Sequence, residues 1–355
     1  MCHSTVDAIG PEIRRTPEQG MTLIEAIVAM GLLLIFLTTV AALMRPAADL
    51  SSLAQQRGEV QHNVRVGLNS MARELSLSGT GFPLGGVQLP AGSGAGPSVF
   101  ACSFEECYVD DNQFMDRRLY AVTPGPGRGQ VVEGVPTDVV TFAFRDDRYD
   151  LDQYPLVSLN TDGTVIEVDS RTSPPVTDPV VGIVPGDVLL LSNANGVAAA
   201  VVTAVGGNEI HLSPGDPLNF NQPEAEYGNV KALRNPDTGE YPPTRAFRIH
   251  VITYFVDARD QERPRLMRQV NAHRAEPVAE YIERLQISYD IFDDDSSAAV
   301  SDLPDANGRP NQIRKINLFV AGRSPQERLL GKGFDWTSMR TSVSARNLAF
   351  RDRYQ

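Results

Sequence analysis

The chain has 355 residues, enough to bury a sizeable core in one large domain or two ordinary ones. Its net charge of −12 excludes a general nucleic-acid-binding surface. The 29 glycines and 25 prolines point to many turns and an elaborate β region.

The first element is a leader carrying Arg14 and Arg15, followed by a long apolar run. No charge occurs from Ala26 to Met44. That run of about 19 residues makes about 28 Å of helix, close to the roughly 30 Å bilayer core. It is too long for an ordinary signal-peptide core and continues without an A-x-A cleavage site. We therefore read a single membrane span over about residues 24–44. Arg14 and Arg15 hold the N-terminus in the cytoplasm, opposed by Arg45 and by the leader acids Asp7, Glu12 and Glu18. Glu25 stands at the start of the run. An ionised carboxylate within a membrane costs a few kcal/mol, so such a residue is a candidate functional site with a partner to be found. A plain signal anchor has no use for it.

The stretch Gly20–Glu25, G-M-T-L-I-E, closely resembles the type IV prepilin signature. In that family a peptidase cuts after the glycine on the cytoplasmic side and methylates the new N-terminus, and the acid is the fifth mature residue. The resemblance implies cleavage between Gly20 and Met21, N-methylation of Met21, and an assembly role for Glu25. The first mature residue is Met rather than the commoner Phe.

Beyond the span, apolar residues recur at Leu50, Leu53, Val60, Val64, Leu68, Met71 and Leu75, on one helical face. The spacing predicts one helix over Met21–Ser78, about 87 Å long, kinked at Pro46 and locally weakened at Gly58 and Gly67. Gly79 and Gly81 are C-cap candidates, with Pro83 beyond. A Gly/Pro-rich loop follows over residues 79–97. Its glycines are not a phosphate loop, because no Gly-Lys-Ser/Thr follows them.

Cys102 and Cys107 stand close together, and no second pair of Cys or His completes a metal site. A local disulfide fits better, provided the domain is exported. The chain then reads as β. Residues 138–145 form a strand. Residues 182–213 contain several short strands with turns at Pro185–Gly186, Asn195–Gly196 and Gly206–Gly207. These predict a small β subdomain at about 180–213. Residues 245–257 and 263–271 read as a hairpin, and the stretch from Glu276 as a helical turn leading into a strand. In the strand after it, Leu285, Ile287, Tyr289 and Ile291 alternate with polar residues. Residues 313–324 and 341–351 supply two more strands. This order, ending in an A-R-N-L strand, is similar to that of the PilW-like minor pilins and of the J-type minor pseudopilins of type II secretion.

The histidines, His3, His62, His211, His250 and His273, have no Cys, His or acidic partner at ligand spacing, and no G-x-S-x-G elbow is present. His250 reads as a structural strand residue. Asp293, Asp294, Asp295, Asp302, Asp305 and Asn307 offer oxygen ligands for calcium, but their spacing does not fit an EF-hand loop. A solvated acidic loop is the plainer reading. No enzyme chemistry and no cofactor are expected.

Taken with the resemblance, the expected fold is α+β and type IV pilin-like. It has a leader over 1–20, a long helix over 21–78 and a β-rich periplasmic domain over 79–355. The expected protein is a minor pilin held in the inner membrane by one span, later placed in the cell-surface pilus near its tip. Its partners would be a prepilin peptidase, other minor pilins and the major pilin. A type II secretion pseudopilin, or a membrane-anchored periplasmic enzyme or binding protein, are the alternatives.

Overall fold

The structure is a computed structural model and describes residues 20–103, 107–108, 117–148, 151, 156–171, 173–293, 298–306, 309–327 and 333–348. The chain divides into two compact units, Met1–Ala54 and Gln55–Gln355.

Helix α1 runs from Leu23 to Leu75. It is shorter at both ends than the apolar pattern predicts. At its C-terminal end, N–H groups of Leu77, Ser78 and Thr80 bond three residues back, to Glu74, Leu75 and Leu77, and tighten the chain into turns. Gly79 and Gly81 follow with φ of 80° and 61°, a conformation that favours glycine, and the Gly79 N–H bonds the Ala143 carbonyl. The distal apolar stripe is buried at Val60, Val64, Leu68, Met71 and Leu75. Burying such side chains is worth roughly 1.5–3 kcal/mol each, so packing rather than propensity holds this half of the helix.

Short strands follow in chain order: β1 (Val87–Gln88), β2 (Phe100–Cys102), β3 (Cys107–Tyr108), β4 (Arg118–Leu119), β5 (Val122–Gly125), β6 (Val131–Val132) and β7 (Val135–Pro136). Next come β8 (Val139–Arg145), β9 (Leu156–Leu159), β10 (Val165–Val168), β11 (Val188–Asn193), β12 (Gly196–Val201), β13 (Ala204–Gly206) and β14 (Glu209–His211). The last are β15 (Arg245–Asp257), β16 (Arg265–Val270), β17 (Glu276–Glu280), β18 (Ile282–Asp293), β19 (Ala298–Leu303), β20 (Ile313–Arg323) and β21 (Trp336–Ser344).

The organising strand is β15. It pairs antiparallel with β11 along Arg245–Ile249, with β8 along Ile249–Tyr254 and with β16 along Ile252–Asp257. Strands β12, β17 and β5 complete this seven-stranded sheet. A four-stranded sheet in the order β19-β18-β20-β21 contributes Leu285, Ile287, Tyr289 and Ile291 to the same core, as their alternation predicts. Another four-stranded sheet, β13-β14-β10-β9, covers a second core that includes Leu151, Ile166, Val176, Leu189, Ile210 and Ala246.

Three sequence-based expectations change. The subdomain expected at 180–213 has no such boundaries, because β11 and β12 join the central sheet while β13 and β14 join the outer one. The helical turn expected before β18 is instead strand β17, paired with β16, and Tyr281 between β17 and β18 has φ of 57°. The A-R-N-L segment is not a strand, since β21 ends at Ser344 and Arg346–Leu348 form a 3₁₀ turn.

Candidate functional site

Gly20, Met21 and Thr22 lead into α1 without regular structure, and all three are exposed. Open space surrounds Gly20, with no atom within 4 Å of where a Cβ would stand. A helix start leaves four N–H groups without partners. Here Thr22 and Glu25 each satisfy the other's backbone N–H reciprocally. The Glu25 N–H donates to Thr22 Oγ1 at 3.4 Å, while the Thr22 N–H and hydroxyl both donate to Glu25 Oε2 at 3.0 Å. This is a capping box, and the helix dipole also favours an anion at this end. Part of the cost of placing a carboxylate at the apolar run is therefore met inside the chain. Glu25 Oε1 has no partner among the described residues. The T-x-x-E spacing in the sequence carries this signal, which reading Glu25 only as a membrane charge misses.

Leu23–Met44 is the one segment among the described residues long and apolar enough to cross a membrane. Leu23, Ile24, Leu34, Ile35 and Phe36 are all more than 60 % exposed. The hydroxyls of Thr38 and Thr39 both donate to the Ile35 carbonyl at 2.8 Å, so neither presents a free donor to an apolar neighbour. An apolar surface of this extent is consistent with lipid or other helices around it.

Cys102 is disulfide-bonded, and the β2–β3 hairpin sets Cys102 opposite Cys107 in register. Of the oxygen ligands weighed for calcium, Asp294, Asp295, Asn307 and the side chain of Asp293 lie outside the described residues. Asp302 is engaged locally, accepting from the Ser288 hydroxyl at 2.7 Å and donating its N–H to Asp290. Among the described residues no three His, Cys, Asp or Glu side chains gather as a metal site.

Three histidines that have no acidic partner at ligand spacing in the sequence acquire one in space. His211 lies 3.5 Å from Glu209, His250 3.4 Å from Asp146, and His273 3.0 Å from Asp187. Each is a pair rather than a ligand set. Helix α1 is also tied to the sheet by charge. Glu74 accepts from Arg268 through both carboxylate oxygens and from the Tyr254 hydroxyl at 2.8 Å, and the Ser70 hydroxyl lies 2.9 Å from the Tyr254 hydroxyl oxygen. Burial, outweighing the Ser70 hydrogen bond, raises the Tyr254 phenol, which stays protonated as the donor.

Residues 15–41 match a prokaryotic N-terminal methylation motif. Among solved structures the chain is similar to a type IV-like pilin from Thermus thermophilus, at 10% identity over 47% of this chain and 87% of that one. The TM-score is 0.17, a likeness from which nothing is argued. No curated protein matches. The motif, on an apolar N-terminal helix that leads into a β-rich domain, supports a type IV pilin-like protein, a pilin or pseudopilin subunit. A prepilin motif implies processing by a prepilin peptidase and assembly with other pilins. The apolar helix is consistent with a membrane-anchored subunit.

Proposed function

We propose that the chain is a minor pilin of a type IV pilus, a structural and non-enzymatic subunit that primes assembly and sits near the filament tip. The observation that carries this reading is the Gly20–Glu25 segment, an exposed glycine before a capped apolar helix inside a methylation motif. Cleavage between Gly20 and Met21 leaves a cationic amine on Met21, and methylation keeps its charge. In a filament the exposed apolar helices of adjacent subunits cover one another. Glu25 Oε1, without a partner among the described residues, then faces the amine of a neighbour. A buried pair repays its desolvation only with good geometry, so Glu25 sets register more than it adds stability.

Before incorporation the subunit is held in the inner membrane by its single span, with the β-rich domain in the periplasm. Its partners are the prepilin peptidase, other minor pilins and the major pilin. The bulk of a 355-residue chain suits a subunit used sparingly rather than one repeated along the whole filament. In the oxidising periplasm Cys102 pairs with Cys107. A minor pseudopilin of type II secretion shares the same N-terminal features, and deletion distinguishes the two through loss of pili or loss of secretion.

The test is intact-mass analysis of the protein from cells with an active prepilin peptidase. The expected mass is that of a chain beginning at methylated Met21. A leader still attached contradicts the proposal.

A further inference from the structure

A strand at the edge of a sheet presents unpaired backbone donors and acceptors, and folded domains blunt such edges with short strands, bulges, prolines or covering side chains. In the three larger sheets, the edge strands β5, β9, β12, β13, β17 and β19 all have six residues or fewer. Register shifts interrupt the pairing of β9, β17 and β19, and β17 also carries Pro277. The edge of β12 is covered by Asn221, whose side chain accepts from the Val201 N–H and donates to the Val201 carbonyl. Strand β21 has none of these devices. It runs for nine residues, W-T-S-M-R-T-S-V-S, and pairs with β20 from Trp336 to Ser344 in unbroken register.

Bonds at the two ends of β21 fix where its backbone groups point. The Ser324 N–H donates to the Asp335 carbonyl at 2.8 Å, and the Ala345 N–H donates to the Arg314 carbonyl at 2.9 Å. In an antiparallel pair each residue turns both backbone groups to one side, and successive residues alternate. Odd-numbered residues from Asp335 to Ala345 therefore face β20. Trp336, Ser338, Arg340, Ser342 and Ser344 turn their N–H and C=O groups away from the sheet, and none of these groups has a hydrogen bond among the described residues. The strand is held from its other side. Val343 is buried, Met339 packs against the main core, and Arg57 of α1 lies 3.5 Å from the buried Asp335 just before the strand. A strand fixed beforehand loses little freedom when another is laid beside it.

Charge selects the occupant. Arg340 is the one charged residue in β21. Its guanidinium stands 4.9 Å from the centroid of the Phe319 ring and pairs with no carboxylate among the described residues. A second copy of β21 laid antiparallel along its full length would set Arg340 opposite Arg340, and like charges so placed are destabilising. An acidic residue at that place is favourable instead. We propose that β21 takes an extended segment of a partner protein as an additional strand, with an acidic side chain opposite Arg340. The reading of the chain as a pilin makes that partner a neighbouring subunit. The outward N–H and C=O groups supply affinity and Arg340 sets the register. Trp336, 45 % exposed where the strand begins, offers apolar surface to one end of the incoming segment.

The experiment uses the full chain in detergent micelles and soluble peptides of the same nine-residue length, alternating threonine and valine around a central glutamate or lysine. Hydrogen exchange, read by mass spectrometry, should slow across 336–344 when the glutamate peptide is added and stay unchanged across β17. The lysine peptide should bind about tenfold more weakly, since it exchanges an attractive cross-strand pair for a repulsive one. Ser338→Pro removes an outward N–H and leaves the bonds to β20 in place, and it should abolish binding. Arg340→Glu should reverse the preference between the two peptides, and it supplies the reading if the proline variant does not fold. In cells the Ser338→Pro chain should be cleaved after Gly20 and anchored, yet depleted from sheared filaments. No slowing across 336–344, equal binding of the two peptides, a wild-type dimer that Ser338→Pro dissociates, or normal incorporation of the Ser338→Pro chain overturns the proposal. A leader still attached to the wild-type chain overturns the pilin reading instead, and the peptides then decide the docking edge by themselves.

Discussion

Glu283 shows how one buried residue sets a pH dependence for the domain. It is 1 % exposed at the start of β18, in a bulge against β20. Arg323 Nε stands 2.7 Å from Glu283 Oε1, yet neither that nitrogen nor either carboxylate oxygen makes a hydrogen bond. Distance alone would count a strong pair, but the unaligned N–H makes it a weak one. Burial pushes the carboxyl up from its ordinary 4.5 to about 7, against the opposing pull of Arg323. The folded state thus binds this proton more tightly than the unfolded state. The stabilisation is fully present below about pH 4.5 and is lost as the pH rises through 7, by on the order of 2 kcal/mol. Denaturant titrations at pH 5 and pH 8 should show the domain more stable at pH 5. Glu283→Gln should flatten that difference, and an unchanged difference would assign it to other groups.

At the scale of elements, two glycines of α1 behave oppositely although the sequence gives both the same meaning. A Cβ on Gly67 would stand 2.8 Å from Leu266 Cδ2, a methyl of a buried side chain on β16. Gly58 has nothing within 4 Å. Gly67 lets the helix approach the sheet, whereas Gly58 only weakens the helix. Gly67→Leu should destabilise by about 1–3 kcal/mol through overpacking. Gly58→Ala should stabilise by up to about 1 kcal/mol. Unfolding midpoints of the two variants shifting in the same direction would contradict this assignment. The β2–β3 hairpin carries a further expectation. Pairing of Cys102 with Cys107 closes so short a loop that the chain-entropy gain is roughly 2 kcal/mol, enough to pin a hairpin but not to hold a domain. Thiol labelling of the unreduced, denatured mature protein should find no free cysteine, and two labelled thiols would refute the pair.

At the scale of the whole molecule, what the sequence reveals is what repeats locally. The buried stripe Val60–Leu75 recurs every three or four residues, and β18 alternates every two, so both are legible without any partner in view. The β15–β16 hairpin is legible for the same reason. Strand β17 is not, because Pro277 and the spacing of Val278, Tyr281 and Ile282 fit a helical turn equally well, and only pairing with β16 decides. The limits of the second core are hidden too, since β11 finds β15 more than fifty residues away. The same holds for the pair of Asp146 and Arg248, which are 102 residues apart. Of the N-terminal site, Gly20, Met21 and Glu25 stand out by sequence, and the T-x-x-E spacing also carries the role of Thr22, which the capping geometry makes explicit.

In the proposed reading Glu25 acts between subunits as a charge, beyond capping its own helix. Glu25→Gln keeps an oxygen that can accept from the Thr22 N–H, since Gln serves at this position of a capping box, but it removes the charge. Glu25→Val removes both. Loss of one partner from a buried ion pair costs about 3–5 kcal/mol, far more than a cap. Neither change burdens membrane insertion, because each makes the apolar run less polar. The deciding measurement is the amount of each variant in sheared filaments, after cleavage and normal membrane levels are confirmed. Both variants should be cleaved and anchored but nearly absent from filaments. Incorporation of Glu25→Gln at the wild-type level would contradict this reading.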